Sequence, residues 1–188
     1  GIVRHGMTPK LIMQLALAMY TISLLLGIYI CAASSWWLAV VGLVCMLVGY
    51  LYTGGPFPIS WTPFGELASG FFMGFLIILI AYFIQTGHVS SIAVLVAVPS
   101  GILVGLINMA NNIRDHDGDK RSGRRTLPIL LGQKKAIIFM GIMFAIAYLW
   151  LVGLVVTGTV SPWTLLALLS IPKALSYNDL THFKRFCW

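Results

Sequence analysis

Runs of apolar residues, each close to the length of a bilayer-crossing helix, recur from one end of this chain to the other. No other feature limits its fold so tightly. A helix needs about 20 apolar residues to cross the hydrocarbon core. Six such stretches are read, at approximately 11–31, 36–52, 67–84, 92–110, 136–156 and a shorter one at 162–176. Barrel strands would be shorter and would alternate apolar with polar residues, so these runs predict helices. The chain is 59% hydrophobic and 9% charged, whereas a soluble domain carries about a quarter charged residues. The expected fold class is all-α, a polytopic transmembrane bundle of about six helices. As read, the span interiors contain no Asp, Glu, Lys or Arg, Lys173 lying close to the end of the sixth run. Gly70 with Gly74 and Gly101 with Gly105 form small-residue pairs that either bring helices close or are chance pairs in a Gly-rich sequence. Pro99 is expected to kink the fourth helix.

The charges set an orientation. Arg4 and Lys10 precede the first run, and seven basic residues, Arg114, Lys120, Arg121, Arg124, Arg125, Lys134 and Lys135, lie between the fourth and fifth. Lys173, Lys184 and Arg185 sit near the C-terminal end, while the turns at 32–35, 85–91 and 157–161 carry no Lys or Arg. The positive-inside rule then predicts a multi-pass protein of a bacterial cell membrane with the charged loop in the cytoplasm. Topology and anionic headgroups account for the net charge of +7, so the partner it implies is the lipid bilayer, and no nucleic acid is needed. Cys31, Cys45 and Cys187 have neither metal nor redox spacing.

Chemistry concentrates in NNIRDHDGDKRSGRRTLP, residues 111–128. Asn111, Asp115 and Asp119 are four apart. If the fourth helix continues beyond the membrane, they stack on one face as neighbours. Two carboxylates so placed repel unless a cation lies between them. Mg²⁺ takes oxygen ligands and is commonly held by one or two carboxylates plus substrate phosphates. Arg114, Lys120, Arg121, Arg124 and Arg125 surround the pair with donors suited to phosphate oxygens. Together they describe a diphosphate site at the mouth of a membrane bundle. The competing reading is a solvated basic loop. An EF-hand over Asp115, Asp117 and Asp119 fits poorly, because Gly118 precedes the third Asp and no Glu closes the loop. A CDP-alcohol phosphotransferase would need Ala-Arg after Asp117-Gly118 and a later aspartate pair, both lacking. Asp117 and His116 are expected to point off the paired face, His116 as a solvated residue. A second segment, YTGGPFPISWTPFGE at 52–66, is too rich in Gly and Pro for a regular helix and holds Glu66, the only acidic residue before the charged loop.

The motif NNIRDHDGDKRSGRRTLPILLG resembles the second aspartate-rich motif of the UbiA-type intramembrane prenyltransferases, and most closely the branch that prenylates 1,4-dihydroxy-2-naphthoate in menaquinone biosynthesis. The resemblance is carried by Asn111, Asn112, Arg114, Asp115, Asp119, Gly123, Thr126, Leu127, Leu131 and Gly132. The segment at 52–66 and the FMGFLIILIAYFIQTG that follows add to it. It implies a Mg²⁺-dependent transferase that passes a polyprenyl group from a prenyl diphosphate to an aromatic acceptor with loss of CO₂. It implies metal and catalytic roles for Asp115 and Asp119, and substrate binding by Asn111, Asn112, Arg114, Lys120, Arg121, Arg124 and Tyr52. Tyr52, Trp61, Phe64 and Tyr82 are candidates to stabilise an allylic cation. The family has nine helices and a first aspartate-rich motif, and nothing like that motif precedes Arg114. Residues 1–176 are thus expected to form a single transmembrane domain that is part of the nine-helix fold, and 177–188 an atypical tail. The 188 residues are expected to be a fragment with little activity alone. The alternatives are another aromatic acceptor, or a non-catalytic transporter or membrane subunit.

Overall fold

The structure, a computed structural model, describes residues 8–176. Arg4, His5, His182, Lys184, Arg185, Cys187 and the expected tail lie outside the described residues. The chain divides into two compact units between Leu47 and Val48.

The first unit contains helix α1, Pro9–Ala33, and the beginning of α2, Trp37–Thr53. Thr8 starts α1 as its N-cap, its hydroxyl accepting from the Leu11 N–H at 3.3 Å. Pro9 follows at a position where its missing N–H costs nothing.

The second unit holds the end of α2 and everything after it. A loop with a 3₁₀ turn at Ile59–Trp61 leads into α3, Gly65–Thr86. Helix α3 widens into π-helical turns over Gly70–Leu76 and ends at Gly87, whose φ of 76° is left-handed. Ser90 caps the next helix, α4 (Ser91–Arg114), by accepting from the Ala93 N–H at 3.1 Å. Two short helices follow, α5 (His116–Arg121) and α6 (Leu127–Leu131), then the long α7 (Gln133–Val156). A 3₁₀ stretch at Pro162–Ser170 and a short α8, Ile171–Ser176, end the described chain.

The first five apolar runs are helices, as expected. The sixth is divided into 3₁₀ and α pieces, with Pro162 in the first turn of one and Pro172 in the first turn of the other. Four helices, α1, α3, α4 and α7, are long and apolar enough to cross a membrane, and α2 is a shorter apolar helix. Only 17–22% of the most apolar windows of α3, α4 and α7 is buried within the protein. Surface so apolar requires a hydrocarbon solvent, and the chain is a polytopic membrane protein.

Without water to drive helices together, membrane helices pack where small residues let backbones approach. That is how α3 meets α4. A methyl added at Gly70 would stand 2.5 Å from the Gly101 carbonyl oxygen, and one at Gly74 would stand 2.7 Å from the Gly101 Cα. The two small-residue pairs therefore face each other. On the other flank of α4, Leu106, Met109 and Ile113 pack with Ala136, Ile137 and Met140 of α7.

Pro99 leaves α4 helical throughout. Its ring nitrogen cannot donate to the Leu95 carbonyl one turn earlier. The Trp150 indole N–H from α7 donates to that oxygen instead, at 2.9 Å. A carbonyl that would be costly to leave unpaired in lipid is thus satisfied by a neighbouring helix.

Candidate functional site

The loop after α2 and the charged segment after α4 are joined directly. The Arg125 N–H donates to the Trp61 carbonyl at 2.8 Å, and the Arg124 guanidinium lies over the Trp61 ring, 5.7 Å from its centre. Arg124 Nη1 is also 3.1 Å from Asp119 Oδ1. Asp119 is buried, and its second oxygen, Oδ2, has no hydrogen-bond partner among the described residues.

Helix α4 ends one residue before Asp115. The four-residue step survives in the backbone, where Asp115 N–H donates to Asn111 O and Asp119 N–H to Asp115 O, both at 2.9 Å. The surroundings nevertheless differ along the expected face. Asn111 and Asp115 are exposed and Asp119 is buried. Arg114 holds Asp115 through both oxygens, Nε–Oδ1 at 2.9 Å and Nη2–Oδ2 at 3.1 Å. These hydrogen bonds keep the Asp115 carboxyl below the usual carboxylate range. Burial opposes them, and the charges of Arg114 and Arg124 add to them.

Asp117 points away as expected, its side chain 78% exposed beside His116 Nδ1. His116 does not fit the expectation of a solvated residue, because its side chain is only 13% exposed. The turn at Asp115 rotates the short helix so that positions 116 and 119 face inward. Lys120 and Arg121 lie on the exposed flank, Arg121 bonding the Asp117 carbonyl at 3.1 Å.

Asn112 reaches α3. Its Nδ2 donates to Glu66 Oε1 at 2.8 Å. One turn earlier, Asn108 Nδ2 donates to the Tyr52 hydroxyl, also at 2.8 Å, and that hydroxyl lies 3.5 Å from the Gly65 carbonyl. The sequence analysis gives no role to Asn108 or Glu66. Glu66 ends the Gly- and Pro-rich segment in the sequence, but α3 begins at Gly65, which puts a buried carboxylate in the first turn of a candidate membrane span. An ionisable group so placed marks a functional site by default. The signal was available in its position immediately before a long apolar run.

Below these polar groups lies a cavity of about 310 Å³ between α3, α4 and α7. Among the described residues Glu66 is its only charged or polar lining residue. Phe71, Phe75 and Phe139 supply aromatic walls, and the first two are stacked with ring centres 5.7 Å apart and planes at 25°. Of the aromatics expected near the chemistry, Tyr52 and Trp61 are at the polar end. Phe64 is 65% exposed. Tyr82 packs edge-on against His88 near the opposite end of α3, some 24 Å along the helix from Glu66 at 1.5 Å per residue.

Among the described residues, the buried side-chain oxygens without a partner are Glu66 Oε2, Asp119 Oδ2 and Thr126 Oγ1. All three belong to segments of this site. Buried polar groups are ordinarily paired, so their clustering points to a ligand.

The UbiA prenyltransferase family model matches residues 1–183. The 1,4-dihydroxy-2-naphthoate octaprenyltransferase of Bacillus subtilis (strain 168) is 59% identical over 92% of this chain and 56% of that protein. The protein of the same name from Mycobacterium tuberculosis (strain ATCC 25618 / H37Rv) is 31% identical over 89% of this chain and 56% of its own length. The UbiA prenyltransferase domain-containing protein 1 of Danio rerio is 32% identical over 66% of this chain and 36% of that protein. The chain thus spans just over half the length of the two bacterial relatives. No solved structure matches it. With a family match along nearly its whole length and the aspartate-bearing segment joined to an apolar helical cavity, the chain belongs to the UbiA prenyltransferase family.

Proposed function

We propose that this chain carries the diphosphate-binding half of an aromatic prenyltransferase site, which transfers a polyprenyl group to 1,4-dihydroxy-2-naphthoate with loss of CO₂ in menaquinone biosynthesis. The observation that carries the reading is the buried, unpartnered Asp119 Oδ2 beside Arg124, in the segment that leads on to Leu127, which lines the apolar cavity. The printed names of the bacterial relatives supply the acceptor.

The donor set fits Mg²⁺, a hard cation that takes carboxylate and phosphate oxygens. The described residues contain no group of three or more His, Cys, Asp or Glu able to hold a metal, so Asp119 and Asp115 would share the ion with phosphate oxygens. When bound, the ion supplies Lewis-acid stabilisation of the leaving diphosphate.

The chain's own residues do the rest. Arg124, fixed by Asp119 and Trp61, offers a guanidinium to phosphate oxygens. Arg114 neutralises Asp115 until a better partner arrives. Asn111, Asn112, Lys120 and Arg121 are the further candidates for substrate contact, and Tyr52 is positioned by Asn108. The cavity between α3, α4 and α7 excludes water from a reacting allylic centre. Its aromatic faces, Phe71, Phe75 and Phe139, can stabilise developing positive charge. The positive-inside rule, applied to the basic loop, supports a cytoplasmic position for this end of the bundle in a bacterial cell membrane.

The test is titration of the purified chain in lipid nanodiscs with farnesyl diphosphate and with farnesol. The expected result is diphosphate binding that needs Mg²⁺ and is reversed by EDTA, with farnesol much weaker. Equal binding of the two, or indifference to EDTA, would remove the diphosphate reading.

A further inference from the structure

Glu66 has no part in the diphosphate site just described, yet it is 7% exposed, and its Oε2 is unpartnered among the described residues. Its other oxygen is fixed by Asn112 at 2.8 Å, which locks the carboxylate in place. Among the described residues it is also the only charged or polar one lining the cavity. The occupant must therefore give a donor to one buried oxygen and present apolar surface to the rest of the walls.

A prenyl tail offers no donor and would leave Oε2 stranded without a hydrogen bond. An ionised diphosphate has no O–H to give Oε2, and its several charges would face a carboxylate that has no cation beside it among the described residues. A flat aromatic ring bearing a hydroxyl meets both demands. Its O–H donates to Oε2, and its faces meet the Phe71 and Phe75 rings. The volume of about 310 Å³ is at the lower end of the roughly 300–1,000 Å³ of small-molecule sites, which suits a ring system better than a long polyprenyl chain.

We propose that Glu66, braced by Asn112, is the site that holds a ring hydroxyl of the aromatic acceptor. The proposal rests on the prenyl-transfer reading above and assigns the acceptor's side of the same site. Hydrogen bonding of the hydroxyl to Oε2 orients the ring and raises its electron density toward attack. No net proton transfer to Glu66 is involved, since the ring carbon that gains the prenyl group loses CO₂. Glu66 is thus a binding and specificity residue for the acceptor, and Asn112 positions it.

The experiment titrates nanodisc-embedded chain with 1,4-dihydroxy-2-naphthoate, with 2-naphthoate, which lacks both hydroxyls, and with farnesyl diphosphate plus Mg²⁺. The wild-type chain should bind the dihydroxy compound on the order of tenfold or more tighter than 2-naphthoate. Glu66→Gln should erase most of that preference and leave farnesyl diphosphate binding unchanged. Equal wild-type affinity for the two naphthoates overturns the proposal without any variant. So does a Glu66→Gln chain that keeps the preference. If Glu66→Gln loses every ligand through misfolding, the wild-type comparison decides alone. Wild-type binding of farnesyl diphosphate without the dihydroxy compound defeats this inference and leaves the diphosphate site standing. Binding of neither defeats both.

Discussion

Asp117 and Asp119 lie two positions apart in one short helix, yet the first is exposed beside His116 and the second is buried against Arg124. Helical spacing predicted that difference. It did not predict that Asn111 would be exposed while Asn112 meets Glu66, because periodicity groups residues by face without saying which face of α4 meets α3. Replacing Asp119 by Ala removes an oxygen ligand and strands Arg124. Mg²⁺-dependent binding of farnesyl diphosphate should fall by at least about 10–100-fold, measured by titration in nanodiscs. Asp117→Ala should leave that affinity within about twofold, since an exposed charge has little leverage at a distance. Comparable losses in the two variants would show that the inward face has been misassigned.

At the scale of the helices, the small-residue pairs of α3 and α4 were visible in the sequence, but their use was not, since spacing alone cannot tell a helix contact from a chance pair. Packing resolves it. Gly74→Ala puts a methyl 2.7 Å from the Gly101 Cα and should destabilise the bundle by about 1–3 kcal/mol through overpacking. Gly153→Ala in α7 meets nothing within 4 Å and should be neutral or slightly stabilising, since Ala is the better helix former by about 1 kcal/mol. Thermal unfolding in detergent separates the two. The Pro99 and Trp150 pair gives a second test. Trp150→Phe leaves the Leu95 carbonyl unpaired and should cost about 1–3 kcal/mol. In a Pro99→Ala background, where the backbone N–H returns, the same change should cost less. Additive losses in that double-mutant cycle would mean that the indole does not replace the missing helical bond.

Across the whole molecule, two patterns in the sequence, long apolar runs and one-sided basic charge, were enough to give an all-helical membrane bundle. They could not give the cavity. Glu66, Phe71, Phe75 and Phe139 come together from α3 and α7 around α4, and that convergence depends on how closely the glycines let α3 approach α4. The same charge asymmetry predicts topology. Cysteine placed at Ser122 should react with an impermeant thiol reagent from the cytoplasmic side of membrane vesicles, and cysteine at His88 from the opposite side. The central claim is that the buried end of the charged segment holds a metal together with a diphosphate. Its most direct test is electron paramagnetic resonance of Mn²⁺, standing in for Mg²⁺, added to the nanodisc-embedded chain with and without farnesyl diphosphate. The account predicts that farnesyl diphosphate recruits Mn²⁺ to the wild-type and Asp117→Asn chains but not to Asp119→Asn. Equal Mn²⁺ recruitment by wild type and Asp119→Asn would contradict it.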